Sequence, residues 1–476
     1  MRGILCEESG KILHQEQKKY RPVYRSPEWI EQPASDFQNA MVEIFQLTKK
    51  WTDSAQKKID MIAVTGQRSA VIPLGTEGMP LMPAVMWQDT RNADICRELK
   101  KEDSRILQLS GSAVNTVFSG GKIRWIKKTC PEIAEKTVKY VNIPEYLMYC
   151  MTGKLVTDHT YGSRSNLMNL KKRDWDQELL DMFGVYREEL CSLQEPGTKV
   201  GEITSAFSRI TGIPQGTPVI TAGGDQQCAA VGQGAVSEGN MSIVVGTGAY
   251  LVLPVGEVPE DLTPRMICNC SAIAGKYILE ANVLTCSSAF DWFLRNFYRE
   301  AEGFEEANRN LTALYDVKEE AVVLPYFQGR SSDGWNAEAR ALFSNITLST
   351  TREDILKALV EGIFLEIGNS IEKFRTYAGI SEGWISGGMA NSEIMNQMQA
   401  DIYGLPLKHM ENSEATARGA LIVALTSQGI WNSAESAFQT LRASDKVVSY
   451  EPDQKKTAWY ISKKSEMNRI YQKIYQ

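Results

Sequence analysis

The stretch TPVITAGGDQQCAAVGQGAV, residues 217–236, places one acidic side chain where an α/β protein most readily builds chemistry. An apolar run ends in Gly223 and Gly224, Asp225 follows, and a helix of small residues is expected to begin there. A carboxylate in that position can serve as a general base that takes a proton from a hydroxyl. It can equally cap the helix that follows, and the residues alone leave both readings open.

Two other runs, VTGQRSA and MWQDTRN, also follow strand-like segments and are expected to bring polar groups to one cleft. Gln67, Arg68, Trp87, Gln88 and Asp89 combine donors, acceptors and an aromatic wall, a mixture suited to a polyhydroxylated ligand. An ordinary ion pair between Arg68 and Asp89 is the competing reading. A tight turn, Gly246-Thr247-Gly248, sits between two strands, where unhindered amides and the Thr247 hydroxyl can wrap an anion or simply close a hairpin. The segment WISGGMANSEIMNQMQADIYG sets Gly387 and Gly388 at a strand-to-helix junction that lets a ligand lie against the backbone. It lacks the GxGxxG spacing of dinucleotide sites. His14, His159 and His409 have no partner at triad-like spacing, and no GxSxG elbow occurs.

The elements that must position these residues alternate between helical and strand patterns, which predicts an α/β class. Helices are expected over 36–57 and 92–101, and strands over 59–64 and 70–74; residues 122–150 read as largely helical with a break near Asn142 and Pro144. The second half opens with strand, glycine turn and strand in NMSIVVGTGAYLVLP; KYILEANVL adds a strand and SSAFDWFLRNFY an amphipathic helix. Compared with that pattern, Arg2 to Cys6 corresponds to Ala249 to Leu253, and the strand and turn before it have no counterpart. About ten residues, one mean strand and a short turn, are therefore expected upstream of Met1. The alternative is that the two halves are unrelated.

At 476 residues the chain predicts two domains, placed at 1–224 and 225–476. Its 43% hydrophobic and 23% charged residues are those of a globular protein. A formal charge of −6, with basic residues only in short clusters such as Lys171-Lys172-Arg173 and Lys463-Lys464, argues against a nucleic-acid surface. Nine cysteines without a CxxC pair and three histidines offer no zinc constellation, so no metal ligand set is assigned. The N-terminus shows no signal series and no apolar run reaches membrane-span length, which predicts a cytoplasmic protein without a membrane partner.

Taken together, the motifs resemble the FGGY carbohydrate kinase family across nearly the whole chain and in family order. SPEWIEQ resembles its early GWxEQ segment, VTGQRSA and MWQDTR its substrate strands, and SGGKIRWIKK its first signature. GGDQQCAAVGQG resembles the catalytic segment, VVGTGAY the second phosphate loop, and ISGGMANSEIMNQMQADIYGLPL with EATARGAL the adenosine segment and second signature. The resemblance implies a two-domain actin-like, ribonuclease H-like sugar kinase fold with its active site in the interdomain cleft. It implies transfer of phosphate from ATP, with Mg2+, to a hydroxyl of a small sugar or polyol, and leaves a homodimer open. By motif, Asp225 would be the general base and Gln226 a substrate contact. Arg68, Trp87 and Tyr250, with Gln67 beside them, would face the acceptor; Gly246, Thr247 and Gly248 would hold phosphates; Gly387, Gly388 and Ser392 would line the adenosine site.

Two departures from the family pattern bear on function. The family's opening DxGTT-type strand and phosphate loop precede the pattern at which this sequence starts, which sets a catalytically impaired or regulatory nucleotide- and sugar-binding homologue beside the kinase reading. TGQRSA keeps the arginine of glycerol kinases but has Ser69 where they carry glutamate and lacks the Met-His-Gly of xylulokinases after the same glutamine, and NTVFSGGK has Val117 where glycerol kinases carry tyrosine. The acceptor is accordingly left unassigned among a pentulose, glycerol and an autoinducer-like polyol.

Overall fold

A computed structural model of the chain describes residues 1–264, 266–299, 303–318, 320–331, 336–411, 414–443 and 445–475. Two compact units form, each from separate stretches: Met1–Gly232, Gly256–Ile278 and Glu414–Ser444 make the first, and Gln233–Val255, Leu279–Ser413 and Asp445–Gln476 the second. This differs from a single boundary at 224/225, because the helix Asp225–Gly232 stays with the first unit and draws the helix Ala415–Ser427 back to it. The two helices cross on bare backbone. A Cβ at Gly232 would stand 1.9 Å from the Ala415 carbonyl oxygen, and one at Gly419 1.8 Å from that of Cys228, so only glycine admits the crossing.

In the first unit the strand Ile62–Gly66 lies parallel to Pro218–Gly224, which is antiparallel on its other side to Lys199–Glu202. Strands Arg2–Cys6 and Ile12–Gln17 pair as a separate antiparallel hairpin. The helices Ala34–Ser54 and Ile143–Thr152 carry apolar faces into a core with Phe37, Met41, Val64, Tyr146, Met148 and Val219. Each large apolar side chain buried in this way contributes roughly 1.5–3 kcal/mol. Asn142 and Glu145 form a reciprocal capping box that starts the second of these helices. The run 122–150 is less helical than its local pattern predicts: helices Ser119–Thr129 and Pro131–Ala134 are followed by a strand, Lys139–Val141, which pairs with Ile72–Leu74. That partner is distant in sequence, so no local period announces the strand.

The second unit is built on a sheet that includes, in this order, the strands Tyr277–Val283, Ala249–Val255, Asn240–Val245, Glu382–Ser386, Leu407–Met410 and Val447–Tyr450. Asn240–Val245 is antiparallel to Ala249–Val255 and parallel to Glu382–Ser386. The helix Arg352–Arg375 is buried on most of its circumference, and its internal charges are answered in place: Glu361 accepts from Lys463 and from the Tyr460 hydroxyl, and Glu366 pairs with Arg330 at 2.7 Å. None of the nine cysteines forms a disulfide. Among the described residues no helix is long and apolar enough to cross a membrane.

Candidate active site

In the first unit, the register sets Gly66 directly beside Gly224 on adjacent parallel strands. Gln67 and Arg68 therefore leave one strand at the same sheet edge where Asp225 and Gln226 leave the next, the carboxyl edge at which α/β folds place reactive groups. Asp225 is half-buried; its Oδ1 accepts the amide of Gln226 at 2.8 Å, and no other hydrogen bond to this carboxylate occurs among the described residues. That bond is to the adjacent residue, whereas a capping side chain would accept from an amide two or three positions on. One carboxylate oxygen thus stays available at the edge.

Arg68 is buried, and its stem crosses the bare α-carbon of Gly224. The Gln67 Oε1 is buried without a hydrogen-bond partner, an acceptor left for a bound group to satisfy. Trp87 keeps 44% of its surface exposed, as a stacking wall requires, and Gln226 is half-buried beside Asp225. The competing reading, an ion pair between Arg68 and Asp89, does not hold. Asp89 is fully buried and bound instead by Arg91, whose Nε and Nη2 donate to it at 2.9 and 2.7 Å, while the Ile30 amide donates at 2.6 Å. Arg91 also donates to Glu31 at 3.0 Å and lies over Trp29, 4.0 Å from the ring centre. Asp89 is therefore part of a closed structural network.

A group of residues that sequence reasoning missed supports the turn before Asp225. Thr65 and Tyr161 donate to the Gly223 carbonyl oxygen at 2.7 and 2.8 Å, and the Gly224 amide donates to the Thr160 hydroxyl at 2.8 Å. Thr160 and Thr221 in turn donate to Asp158, which is fully buried. Burial pushes the Asp158 carboxyl up from the usual range, against the lowering effect of the Thr160 and Thr221 hydrogen bonds. The only sequence trace of this group is the polar run TDHTYGSRS, residues 157–165, directly after a strand residue.

Lys122, in the signature helix, is likewise closed off. Its ammonium group donates to the carbonyls of Thr116 and Val117 at 2.5 and 2.7 Å, and burial lowers its pKa to about 7. Its role is to hold the 116–118 loop.

The second unit brings two glycine turns to one edge by the same device. Val244 and Ser386 are register partners on parallel strands, so the turn Gly246-Thr247-Gly248 and the pair Gly387-Gly388 emerge side by side. The carbonyls of the first turn face inward: Gly246 O accepts from Ser287 N–H at 2.9 Å, and Thr247 O from Cys286 N–H and the Ser288 hydroxyl at 2.8 Å each. These carbonyl oxygens are thereby turned away from the outer side, where Thr247 is exposed. Gly387 has φ +96° and an added Cβ would meet the Val245 carbonyl oxygen at 2.4 Å; Gly388 is exposed with open space at its α-carbon. Ser392 is buried as the cap of helix Glu393–Tyr403, accepting the Met395 amide at 3.3 Å and donating to Asn308. Tyr250 stands half-buried opposite Val244 on the neighbouring strand.

Among the described residues no group of three or more His, Cys, Asp or Glu side chains is placed to hold a metal ion.

Residues 1–232 match the N-terminal domain of the FGGY family of carbohydrate kinases, and residues 241–427 match its C-terminal domain. The chain belongs to this family. The kinase is similar to a glycerol kinase of Mycoplasmoides gallisepticum, 28% identical over 447 residues that cover 90% of this chain and 87% of that protein. The structure of Plasmodium falciparum glycerol kinase with ADP superposes with a TM-score of 0.91 at 25% identity, covering 100% of this chain and 96% of that one. A gluconate kinase from Lactobacillus acidophilus has the same TM-score, 0.91, at 22% identity, with 99% and 95% of the two chains covered, and speaks to the fold alone. The architecture is that of the actin-like, ribonuclease H-like sugar kinases.

Proposed function

We propose that the kinase transfers the γ-phosphoryl group of ATP to a hydroxyl of a small sugar or polyol, with Asp225 as general base. The observation that carries this reading is the placement of Arg68 and Asp225 at the ends of neighbouring parallel strands, with one Asp225 oxygen unengaged. In the reaction Asp225 accepts the hydroxyl proton as the acceptor oxygen bonds to the γ-phosphorus, and the bond from that phosphorus to the β–γ bridging oxygen breaks to release ADP. Arg68, Gln67, Gln226, Trp87 and Tyr250 would orient the acceptor. The Gly246-Thr247-Gly248 turn would receive phosphate oxygens, and Gly387 and Gly388, with Ser392 shaping the helix behind them, would receive the adenosine. A magnesium ion bound with the nucleotide would supply charge neutralisation at the phosphates.

Ser69 is buried beside Arg68, and it offers a short hydroxyl where the glycerol kinase pattern has a carboxylate. A polyol that needs that carboxylate would leave a hydroxyl poorly matched in a closed site, which favours an acceptor other than glycerol. The test is magnesium-ATP consumption over a panel of ketoses, polyols, aldonates and glycerol, repeated with Asp225→Asn. Acceptor-dependent ADP release that is lost in the variant, with ATP binding retained, is the expected outcome. Nucleotide binding without turnover on any acceptor would overturn the kinase reading in favour of a regulatory homologue.

A further inference from the structure

Asp225 follows two glycines, and a peptide flanked by glycines on both sides is the easiest in a chain to rotate, because neither α-carbon carries a side chain to resist it. Gly223 has φ +97°, a left-handed conformation, and Gly224 must stay bare because Arg68 lies against it. A base presented on such a hinge would wander. In this molecule, however, the single peptide unit between Gly223 and Gly224 is held at both ends. Its oxygen receives the hydroxyls of Thr65 and Tyr161 at 2.7 and 2.8 Å, and its N–H is received by the hydroxyl of Thr160 at 2.8 Å.

The Thr160 hydroxyl can accept from Gly224 reliably because its own proton is committed elsewhere. A hydroxyl has one donor and two acceptor lobes. Asp158 Oδ1 takes the Thr160 hydroxyl proton and also the Thr160 amide, at 2.9 Å for the latter, so only acceptor lobes remain to face Gly224. Asp158 Oδ2 is occupied by Thr221, three residues before Gly224 on the strand that leads into the turn. Thr160 and Tyr161 are both fully or almost fully buried, so water does not compete for these bonds. Three side chains from two segments far apart in sequence thus converge on one peptide plane. Capping or packing of the Asp225 helix needs no such clamp.

We propose that Thr160, Tyr161 and Thr65 are positioning residues for phosphoryl transfer, clamping the Gly223–Gly224 peptide so that Asp225 meets the acceptor hydroxyl in a single orientation. The proposal rests on the reading of Asp225 as the base. Among the described residues none of the three hydroxyls bonds to Gln67 or to the glycine turns of the second unit, so ATP affinity is independent of the clamp, and acceptor affinity changes only as far as Gly224 carries the Arg68 stem with it. A misplacement of about 1 Å in a reacting group can cost on the order of a hundredfold in rate.

Steady-state kinetics with magnesium-ATP and the acceptor turned over fastest in the panel would be measured for Thr160→Val, Thr160→Ser, Tyr161→Phe and Asp225→Asn, with thermal melting of each. Thr160→Val is expected to lower kcat by about thirtyfold to a hundredfold while KM for both substrates stays within about threefold. Thr160→Ser, which restores the hydroxyl, is expected to recover kcat to within about threefold of the parent, and Tyr161→Phe, which keeps the ring, to lose about fivefold to tenfold. Parental kcat in both Thr160→Val and Tyr161→Phe, with Asp225→Asn inert, would overturn the clamp and leave the base standing. Loss shared between kcat and KM and not recovered by Thr160→Ser would assign Thr160 to general structure and overturn it as well. Parental turnover by Asp225→Asn would overturn the base reading itself, and if Thr160→Val does not fold, Tyr161→Phe decides the clamp by the same kcat criterion.

Discussion

The stem of Arg68 occupies the space that a side chain at Gly224 would need: a methyl group there would stand 2.5 Å from Cδ of Arg68 and 2.6 Å from its Cγ. Residue 224 therefore sets the path of the Arg68 side chain, which the proposed function places on the acceptor. Gly224→Ala is expected to displace Arg68 and raise KM for the acceptor by about tenfold or more, the effect of losing one hydrogen bond to a charged group. Affinity for ATP, measured by equilibrium titration, should be unchanged, since the glycine turns of the second unit are untouched.

Thr247 provides the complementary case. It is exposed at the tip of the Gly246-Thr247-Gly248 turn and its hydroxyl is the one side-chain donor there. Thr247→Val preserves shape and removes that donor, and is expected to weaken ATP binding by about tenfold, equivalent to ~1.4 kcal/mol, with KM for the acceptor unaltered. Isothermal titration with ATP and acceptor-dependent kinetics distinguish the two affinities.

Arg91 ties together two buried carboxylates of the first unit, Asp89 and Glu31. Burial pushes Glu31 up, but hydrogen bonds and charge from Arg25 and Arg91 more than offset it and leave its carboxyl below the ordinary range. Arg91→Met would leave Asp89 and Glu31 as buried carboxylates short of their partner. A loss of about 3–5 kcal/mol in unfolding free energy is expected. The folded fraction should keep the parental acceptor KM; a selective change in that KM with parental stability would contradict the structural assignment.

Glu145 makes stability depend on pH. Burial raises its carboxyl from 4.5 to about 7, despite the hydrogen bond from the Asn142 amide. The folded state consequently holds a proton that the unfolded state has released between about pH 4.5 and 7, so this group's contribution is full below 4.5 and is lost as pH rises through 7. Glu145→Gln keeps an oxygen for the Asn142 amide, which Glu145 accepts at 2.7 Å, and cannot ionise. Relative to the parent, the variant is expected to gain stability as pH goes from 5 to 8, by up to ~3 kcal/mol. Urea melts across that range measure the difference.

Much of this protein is legible in its sequence because the informative signals are local. Alternation of strand and helix periods, the glycines at 223–224, 246–248 and 387–388, and the small-residue helix after Asp225 each depend on a few neighbouring residues, and the helices Glu393–Tyr403 and Ser287–Phe297 fall where those signals place them. What the tertiary structure alone decided depends on pairing between distant segments. The register that sets Gly66 beside Gly224, the choice of Arg91 over Arg68 as the partner of Asp89, and the strand Lys139–Val141 on Ile72–Leu74 all follow from sheet pairing and burial. The same holds for Thr160 and Tyr161. Nothing in the run TDHTYGSRS indicates that its hydroxyls meet a peptide more than sixty positions away, since a hydrogen bond of that kind has no period and no composition, only a geometry that exists once the core has closed.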